Sequence, residues 1–273
     1  MNKFIIAFLL SCVATITVNA APQAPAQPIE ACQSQAPYGF PQSSRNGVPL
    51  CHYAYITFVD PVAKIPEWVA YTLTPDHALG CLPRINAFAS DQSLPQGSAT
   101  PQDYAGTGYD KGHLASNGDM SFDNQAEFES FLMTNMSPQL PGLNRGIWKL
   151  LETSVRGWVV ELKQPFTVYV GNIYGPGDKT IGNGVVVPRG LFKIVINGRT
   201  GEAAGWVFPQ ADHLGNDLTK FRTSVADIQK LTGIKFSFPA NAKELSVGQE
   251  WKVDFGMLTS MKRARCGANA TID

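Results

Sequence analysis

Residues 143–156 read LNRGIWKLLETSVR, and the spacing of their side chains predicts a helix beginning near Leu143. Ile147, Leu150, Leu151 and Val155 recur at three- and four-residue steps, the period that gathers apolar groups on one helical face. Stepping by four from Asn144 gives Trp148, Glu152 and Arg156, so an amide, an indole, a carboxylate and a guanidinium share a second stripe. Each has an ordinary explanation: Asn144 as a helix cap, Trp148 as core, Glu152 with Arg156 as a surface ion pair worth little. The stripe acquires meaning only from what surrounds it.

Upstream, residues 124–134 form a second helical pattern with Phe128, Phe131 and Leu132 on one face. Before it, residues 82–113 (LPRINAFASDQSLPQGSATPQDYAGTGYDKGH) carry Pro, Gly and Asp throughout with no sustained period. A long irregular segment inside a compact domain is more often functional than idle. YAYITFVD (53–60) and EWVAYTL (67–73) are β-branched and aromatic runs separated by Pro61 and Pro66, a hairpin or adjacent strand pair. Downstream, GWVVEL (157–162), FTVYVGNIYG (166–175), VVVPRGLFKIVIN (185–197) and AAGWVFP (203–209) read as strands. A last helix, capped at Thr223-Ser224, runs through VADIQKLTG and stops at Gly233. Strand runs around a few helices, without regular βαβ alternation, predict an α+β fold with a largely antiparallel sheet. No internal repeat is present.

The chain opens with MNKFIIAFLLSCVATITVNA, a basic start, an apolar run too short to span a bilayer, and small residues before Ala21. Residues 1–20 therefore read as a secretory signal peptide cleaved after Ala20, the protein being secreted or periplasmic. A lipoprotein-type site at Cys12 is the rival, with an unusually short segment before it. Residues 21–47, rich in Pro, Ala, Gln and Ser, read as an arm or linker, tied down by Cys32. Residues 48–273 form the folded domain. No other stretch reaches transmembrane length. The 22 basic and 22 acidic residues balance, and losing Lys3 leaves about −1, so a polyanion would have to be met by a local groove. Cys32, Cys51, Cys81 and Cys266 are too dispersed for a zinc knuckle or a CxxC pair. In an exported chain they read as two disulfides with three possible pairings, of which Cys32 with Cys51 and Cys81 with Cys266 is favoured.

Three short motifs then combine. DKGH at 110–113, TNMSPQ at 134–139 and LNRGIWKLLE at 143–152 together resemble the DNA/RNA non-specific endonuclease family of ββα-metal nucleases, in that family's order and close to its spacing. WVAYTL, VYVGNIYG, VVVPRGLFKIVIN and FRTSVADIQKLTG also look like family segments, so the likeness spans roughly residues 50–245. It implies a ββα-metal nuclease fold, its central sheet flanked by helices, and hydrolysis of phosphodiester bonds in DNA and RNA to 5′-phosphorylated products.

Carried over residue by residue, the resemblance implies His113 as the general base, since a neutral imidazole with a pKa near ~6.5 can deprotonate water near neutral pH. It implies Asn144 as the one direct protein ligand of a single Mg²⁺ ion, for which Mn²⁺ could substitute. Magnesium keeps water and takes few protein ligands, so one amide oxygen suffices once phosphate binds. Paired carboxylates suited to two metals are absent. Glu152 matches the glutamate that orients metal-bound water, and Arg84 the arginine that stabilises charge on five-coordinate phosphorus. Lys111 and Arg156 would contact substrate phosphates, while Asp110, Asn135 and Gln139 would brace the site. One departure stands out: Lys111 occupies the place where the family usually has arginine, keeping the charge but losing the two-pronged donor.

His52, His77 and His213 lie outside these motifs and read as surface or packing residues. KRAR at 262–265 reads as a solvated basic run. No Gly-x-Ser-x-Gly elbow or phosphate-binding Gly-rich loop is present, which argues against an α/β-hydrolase or a P-loop nucleotidase. Two other readings use the same fold: a capture protein that binds nucleic acid without cutting it, and a nuclease deployed as a secreted antibacterial effector. The first predicts damage at His113, Asn144 or Glu152, all of which are intact. Oligomeric state and DNA-versus-RNA preference are not encoded in any motif.

Overall fold

The computed structural model describes residues 27–94 and 96–272. The signal peptide read over residues 1–20 lies outside the described residues, as do residues 21–26 of the arm. The chain first lays down strands β1 (Val48–Cys51), β2 (Ile56–Asp60) and β3 (Ile65–Leu73), then the short helix α1 (Pro75–Ala78). An irregular stretch leads to β4 (Asp110–His113), α2 (Asn117–Met120), α3 (Asn124–Ser130), β5 (Met136–Gln139) and the long helix α4 (Lys149–Leu162). Next come β6 (Phe166–Ile173), the small pair β7 (Thr180–Ile181) and β8 (Val185–Val186), β9 (Gly190–Asn197) and β10 (Glu202–Pro209). β11 (Arg222–Thr223), α5 (Val225–Thr232), β12 (Lys243–Glu244) and α6 (Phe255–Cys266) complete the fold.

The central sheet runs in the order β1-β2-β3-β6-β9-β10-β11, every neighbour antiparallel, with β12 added parallel to β10. The α+β fold with a largely antiparallel sheet is thus observed. Alternation along the strands builds two cores, one on each face. Val69, Tyr71, Leu73, Val168, Leu191, Val195 and Trp206 point to the face packed by Leu151, Val155, Trp158 and Val159 of α4. Trp68, Tyr169, Phe192 and Ile194 point to the other, where Val225 and Ile228 of α5 pack.

That second face also takes the described part of the N-terminal segment, which packs as an arm tied down at Cys32. Cys32 and Ala36 are fully buried in this core, Gln27 and Gln42 bridge to Cys51 and Lys235, and Cys32 is bonded to Cys51. The disulfide and the sheet face supply the burial that the arm's own composition lacks. The second disulfide joins Cys81 to Cys266, so both favoured pairings are present.

Two helical readings also change. GWVVEL at 157–162 is not a strand: it forms the second half of α4, because Trp158 and Val159 continue the apolar face begun by Leu151 and Val155. At the other end, α4 does not begin at Leu143. Residues 143–148 form a wide π-type turn broken at Gly146 (φ −102°, ψ −113°), so Asn144 and Glu152 do not lie on one continuous helical stripe. α3 stops at Ser130, short of Thr134, where the chain turns into the Met133–Asn135 3₁₀ segment leading to β5. Among the described residues no helix is long and apolar enough to cross a membrane.

Candidate active site

The DKGH motif is a strand, and its antiparallel partner is the NMSPQ segment. Asp110 pairs with Gln139, Lys111 with Pro138, Gly112 with Ser137 and His113 with Met136. Gly112 has a steric reason: a Cβ there would lie 2.2 Å from Cδ of Gln139, which is itself fully buried. α4 follows this strand pair, giving the β-β-α order that presents one end of β4 to the turn before α4. Trp148, on that turn, donates its indole Nε1–H to the His113 carbonyl (3.2 Å) and ties the two pieces together.

Asn135 braces the chain just beyond His113. Its Oδ1 accepts from the Ala115 amide (2.8 Å), and its Nδ2 donates to the carbonyls of Ala115 (2.9 Å) and Ser130 (2.8 Å). Gln139 lies beneath the strand pair with both side-chain polar atoms lacking a partner among the described residues.

Seven of the nine expected residues open onto one cleft of about 1060 Å³: Arg84, Asp110, Lys111, His113, Asn144, Glu152 and Arg156. The His113 imidazole stands edge-on to Phe131 (centroids 5.0 Å apart, planes at 85°), and its Nε2 has no partner among the described residues. Burial, aided by the Arg84 charge, pulls its pKa down to about 3, so the ring is held neutral. Arg84 lies over the same Phe131 ring, 5.0 Å from its centre, with Nε donating to Asn86 Oδ1 (2.8 Å). Asn86 has φ +51°, a left-handed turn that asparagine tolerates better than most residues. Lys111 extends over Phe88, its Nζ 4.8 Å from the ring centre.

Asn144 is oriented by Asp110. Its Nδ2 donates to Asp110 Oδ2 (2.9 Å), while Arg145 grips the same carboxylate through Nε (2.8 Å) and Nη2 (2.6 Å). Burial pulls the Asp110 pKa upward, but these hydrogen bonds outweigh it and hold the carboxyl below its usual range. Because the amide nitrogen is engaged, Oδ1 is the Asn144 atom left for a ligand. Hard oxygen donors of this kind suit Mg²⁺. No cluster of three or more His, Cys, Asp or Glu side chains able to hold a metal occurs among the described residues. The residues therefore fit a cation completed by water and phosphate, and do not fit an all-protein cage.

Glu152 faces inward from the first turn of α4, 3.7 Å from Lys193 Nζ. Burial pushes its pKa up, with Lys193 opposing. Arg156, expected to contact a substrate phosphate, lines the cleft while being held from within the protein. Its guanidinium is buried, paired with Asp119 (2.8 Å), and bonded further to Thr153 and to the Ile272 carbonyl. Tyr71 donates to the other Asp119 oxygen (2.7 Å), so the arginine is committed to an internal network.

Several site residues escape the sequence motifs. Lys149 and Lys262 line the cleft with Arg84, Lys111, Arg145 and Arg156, six cations against Asp110 and Glu152, so a near-neutral chain carries a locally basic groove. Lys262 corrects the solvated reading of KRAR: it is buried and donates to the Gly80 carbonyl. The Cys81–Cys266 bond and residues 267–271 wall the cleft beside the Arg84 loop. The signal for Lys193 was available, a single charge inside the apolar run LFKIVI. None of His52, His77 and His213 lines the cleft; His52 is buried between Asp91 (3.2 Å) and Glu129 (3.8 Å).

Residues 34–244 match the family model for DNA/RNA non-specific endonuclease, which includes part of the packed arm and stops before α6. A Nostoc sp. protein named nuclease is 35% identical over 183 residues, 62% of this chain and 66% of that protein. Mouse nuclease EXOG, mitochondrial, is 29% identical over 66% of this chain and 54% of its own length. Human endonuclease G, mitochondrial, is 29% identical over 74% of this chain and 72% of its own. A crystal structure of an EndoG/EndoGI complex aligns with a TM-score of 0.67 at 25% identity, over 77% of this chain and 92% of the solved one. The chain thus matches between about half and three quarters of the lengths of the three named proteins, and its fold aligns with that of the solved structure. With the family match spanning residues 34–244, which include Arg84, the paired DKGH and NMSPQ strands, Asn144 and Glu152, the chain belongs to the DNA/RNA non-specific endonuclease family.

Proposed function

We propose that this chain is an exported, Mg²⁺-dependent endonuclease that hydrolyses DNA and RNA to 5′-phosphorylated products. The observation that carries the reading is the placement of His113: its Nε2 has no partner among the described residues, and it lines a basic cleft together with Arg84 and the oriented amide of Asn144.

His113 accepts a proton from water as that water attacks phosphorus. The new P–O bond forms opposite the P–O3′ bond that breaks, and the leaving 3′ oxygen is protonated from solvent. Arg84 stabilises the negative charge that builds on the phosphoryl oxygens, a role suited to a planar guanidinium. Glu152 orients water at the inner end of the cleft. When bound through Asn144 Oδ1, Mg²⁺ supplies charge neutralisation and polarisation at the phosphate, and Mn²⁺ serves as a substitute. Asp110 keeps Asn144 in the orientation that leaves Oδ1 available. Lys111 attracts the backbone as a point charge. Contacts of this kind grip phosphate and do not read bases, so little sequence preference follows. Two disulfides support an oxidising compartment, periplasmic or extracellular, consistent with the signal peptide.

The test is to incubate the mature protein with circular plasmid and with RNA, in Mg²⁺ and in excess EDTA. Metal-dependent degradation of both polymers, with fragments that ligase joins without prior kinase treatment, is expected. Intact polymers in Mg²⁺, with binding still detectable, would overturn the reading and favour a capture protein.

A further inference from the structure

Lys193 sits where a charge is least expected. Its strand neighbours Phe192 and Ile194 point to one face of the sheet, Leu191 and Val195 to the other, and alternation puts Lys193 with Leu191 and Val195, under α4. The side chain is 0% exposed. Lysines are almost never fully buried without a partner. Here Nζ lies 3.7 Å from Glu152 Oε1 and 4.5 Å from the centre of the Trp148 ring. Among the described residues neither Nζ nor that Oε1 has a hydrogen-bond partner, and charge attraction and the indole face are what compensate the ammonium for lost water. Trp148 in turn holds the His113 carbonyl. One buried cation therefore touches both halves of the site.

We propose that Lys193 is a positioning residue of the nuclease reaction, whose ammonium holds Glu152 as a fixed carboxylate and, through Trp148, steadies the end of the strand bearing His113. The proposal rests on the nuclease reading above. The charged and titratable groups facing Glu152 are Lys193 from β9, Asp119 from α2, Arg156 from its own helix, Arg84 from the loop after α1 and Tyr71 from β3, with the Ser116 hydroxyl beside them. Arg156 is taken up by Asp119 at 2.8 Å, and the cation that pairs directly with Glu152 is Lys193, at 3.7 Å. Burial pushes the Glu152 carboxyl toward its neutral form, and Lys193 is the largest influence opposing it. A lysine that merely filled the core would stabilise the fold and leave the titration of Glu152 alone.

The test compares wild type with Lys193→Met, which keeps the side chain's length and removes its charge, and with Glu152→Gln. In metal-free protein carrying ¹³C-labelled glutamate, assigned through Glu152→Gln, the Glu152 carboxyl should titrate about one to three pH units higher in Lys193→Met. In Mg²⁺, kcat at neutral pH should fall by about tenfold for each pH unit that this carboxyl rises above the assay pH, with KM little changed, and should recover as pH increases. In a Glu152→Gln background, Lys193→Met should add no further loss. Should Lys193→Met fail to fold, the reciprocal measurement decides: ¹⁵N-labelled Lys193 Nζ should titrate lower in Glu152→Gln than in wild type. An unmoved Glu152 titration, an unmoved Nζ titration in the reciprocal case, or an unchanged pH profile overturns the proposal. A wild-type protein that cuts nothing in Mg²⁺ would sink the nuclease reading instead, while the metal-free titration still decides whether the pair exists.

Discussion

Replacing Asp110 with alanine should weaken the metal side of the site while leaving the fold standing. Asp110 accepts one hydrogen bond from Asn144 and two from Arg145. Arg145 is 71% exposed, so its pair with Asp110 contributes little to stability. The Asn144 bond is charge-assisted, a class worth about 1.5–3 kcal/mol net, and partial exposure of Asp110 places it near the low end. About 1.4 kcal/mol is about tenfold in an equilibrium constant. If that bond is what preorganises Asn144 Oδ1, the Mg²⁺ concentration giving half-maximal plasmid cleavage should rise about tenfold, with kcat at saturating Mg²⁺ largely retained. Thermal unfolding of the metal-free protein should fall by only about 3–6 °C, the shift expected for about 1.5 kcal/mol in a chain of this size. Asp110→Asn, which keeps one acceptor, should fall between. An unchanged Mg²⁺ midpoint in Asp110→Ala would refute the orienting role, and so would a loss that Mg²⁺ cannot restore.

Three further outcomes follow from the same geometry. Because His113 is held neutral down to about 3 while an unfolded histidine protonates near ~6.5, the native state loses stability as pH falls through that window, by up to about 1.4 kcal/mol per pH unit. His113→Ala should therefore show a smaller drop in denaturant midpoint between pH 7 and pH 5 than wild type, and equal drops would contradict the neutral, buried ring. Removing Cys81–Cys266, which spans 185 residues, should lower Tm more than removing Cys32–Cys51, which spans 19, since chain entropy assigns them about 5 and about 3 kcal/mol. Calorimetry of the two double-alanine variants decides it, and the reverse order would count against the argument. Arg156→Ala should cost about 3–5 kcal/mol of stability by leaving Asp119 buried without its partner; a variant of wild-type stability with only a raised KM would favour the phosphate contact instead.

The parts of the site that were legible in the sequence are those whose chemistry is local. DKGH forces a Gly under Gln139 and sets His113 at a strand end, and LNRGIWKLLE carries Asn144, Trp148 and Glu152 in one short run, although the break at Gly146 takes Asn144 off the stripe that helical spacing predicts. What failed was whatever depends on distant partners. GWVVEL contains two valines that favour strands, yet the sheet face beneath α4 overrides that preference. Arg156 could not be separated from a substrate contact without Asp119, 37 residues earlier, and Lys193 could not be joined to Glu152 across 41 residues without the sheet register. The arm could not be told from a linker because the surface that buries it comes from β-strands and α5, later in the chain. Gly146 is legible as a weak point in a helix, but the contacts that hold the turn broken there, from Asn144 to the Asp110 carboxylate and from Trp148 to the His113 carbonyl, reach β4, more than thirty residues earlier.

The measurement that bears most directly on the central claim is chemical rescue at His113. His113→Ala should bind DNA as wild type does and cleave it about 10²–10⁴ times more slowly, the span typical for loss of a general base. Added imidazole should restore part of the rate in proportion to its neutral form, rising with pH through the imidazole pKa. A His113→Ala protein that cleaves at the wild-type rate in Mg²⁺ would contradict the account, because the neutral ring facing the cleft would then have no part in the chemistry.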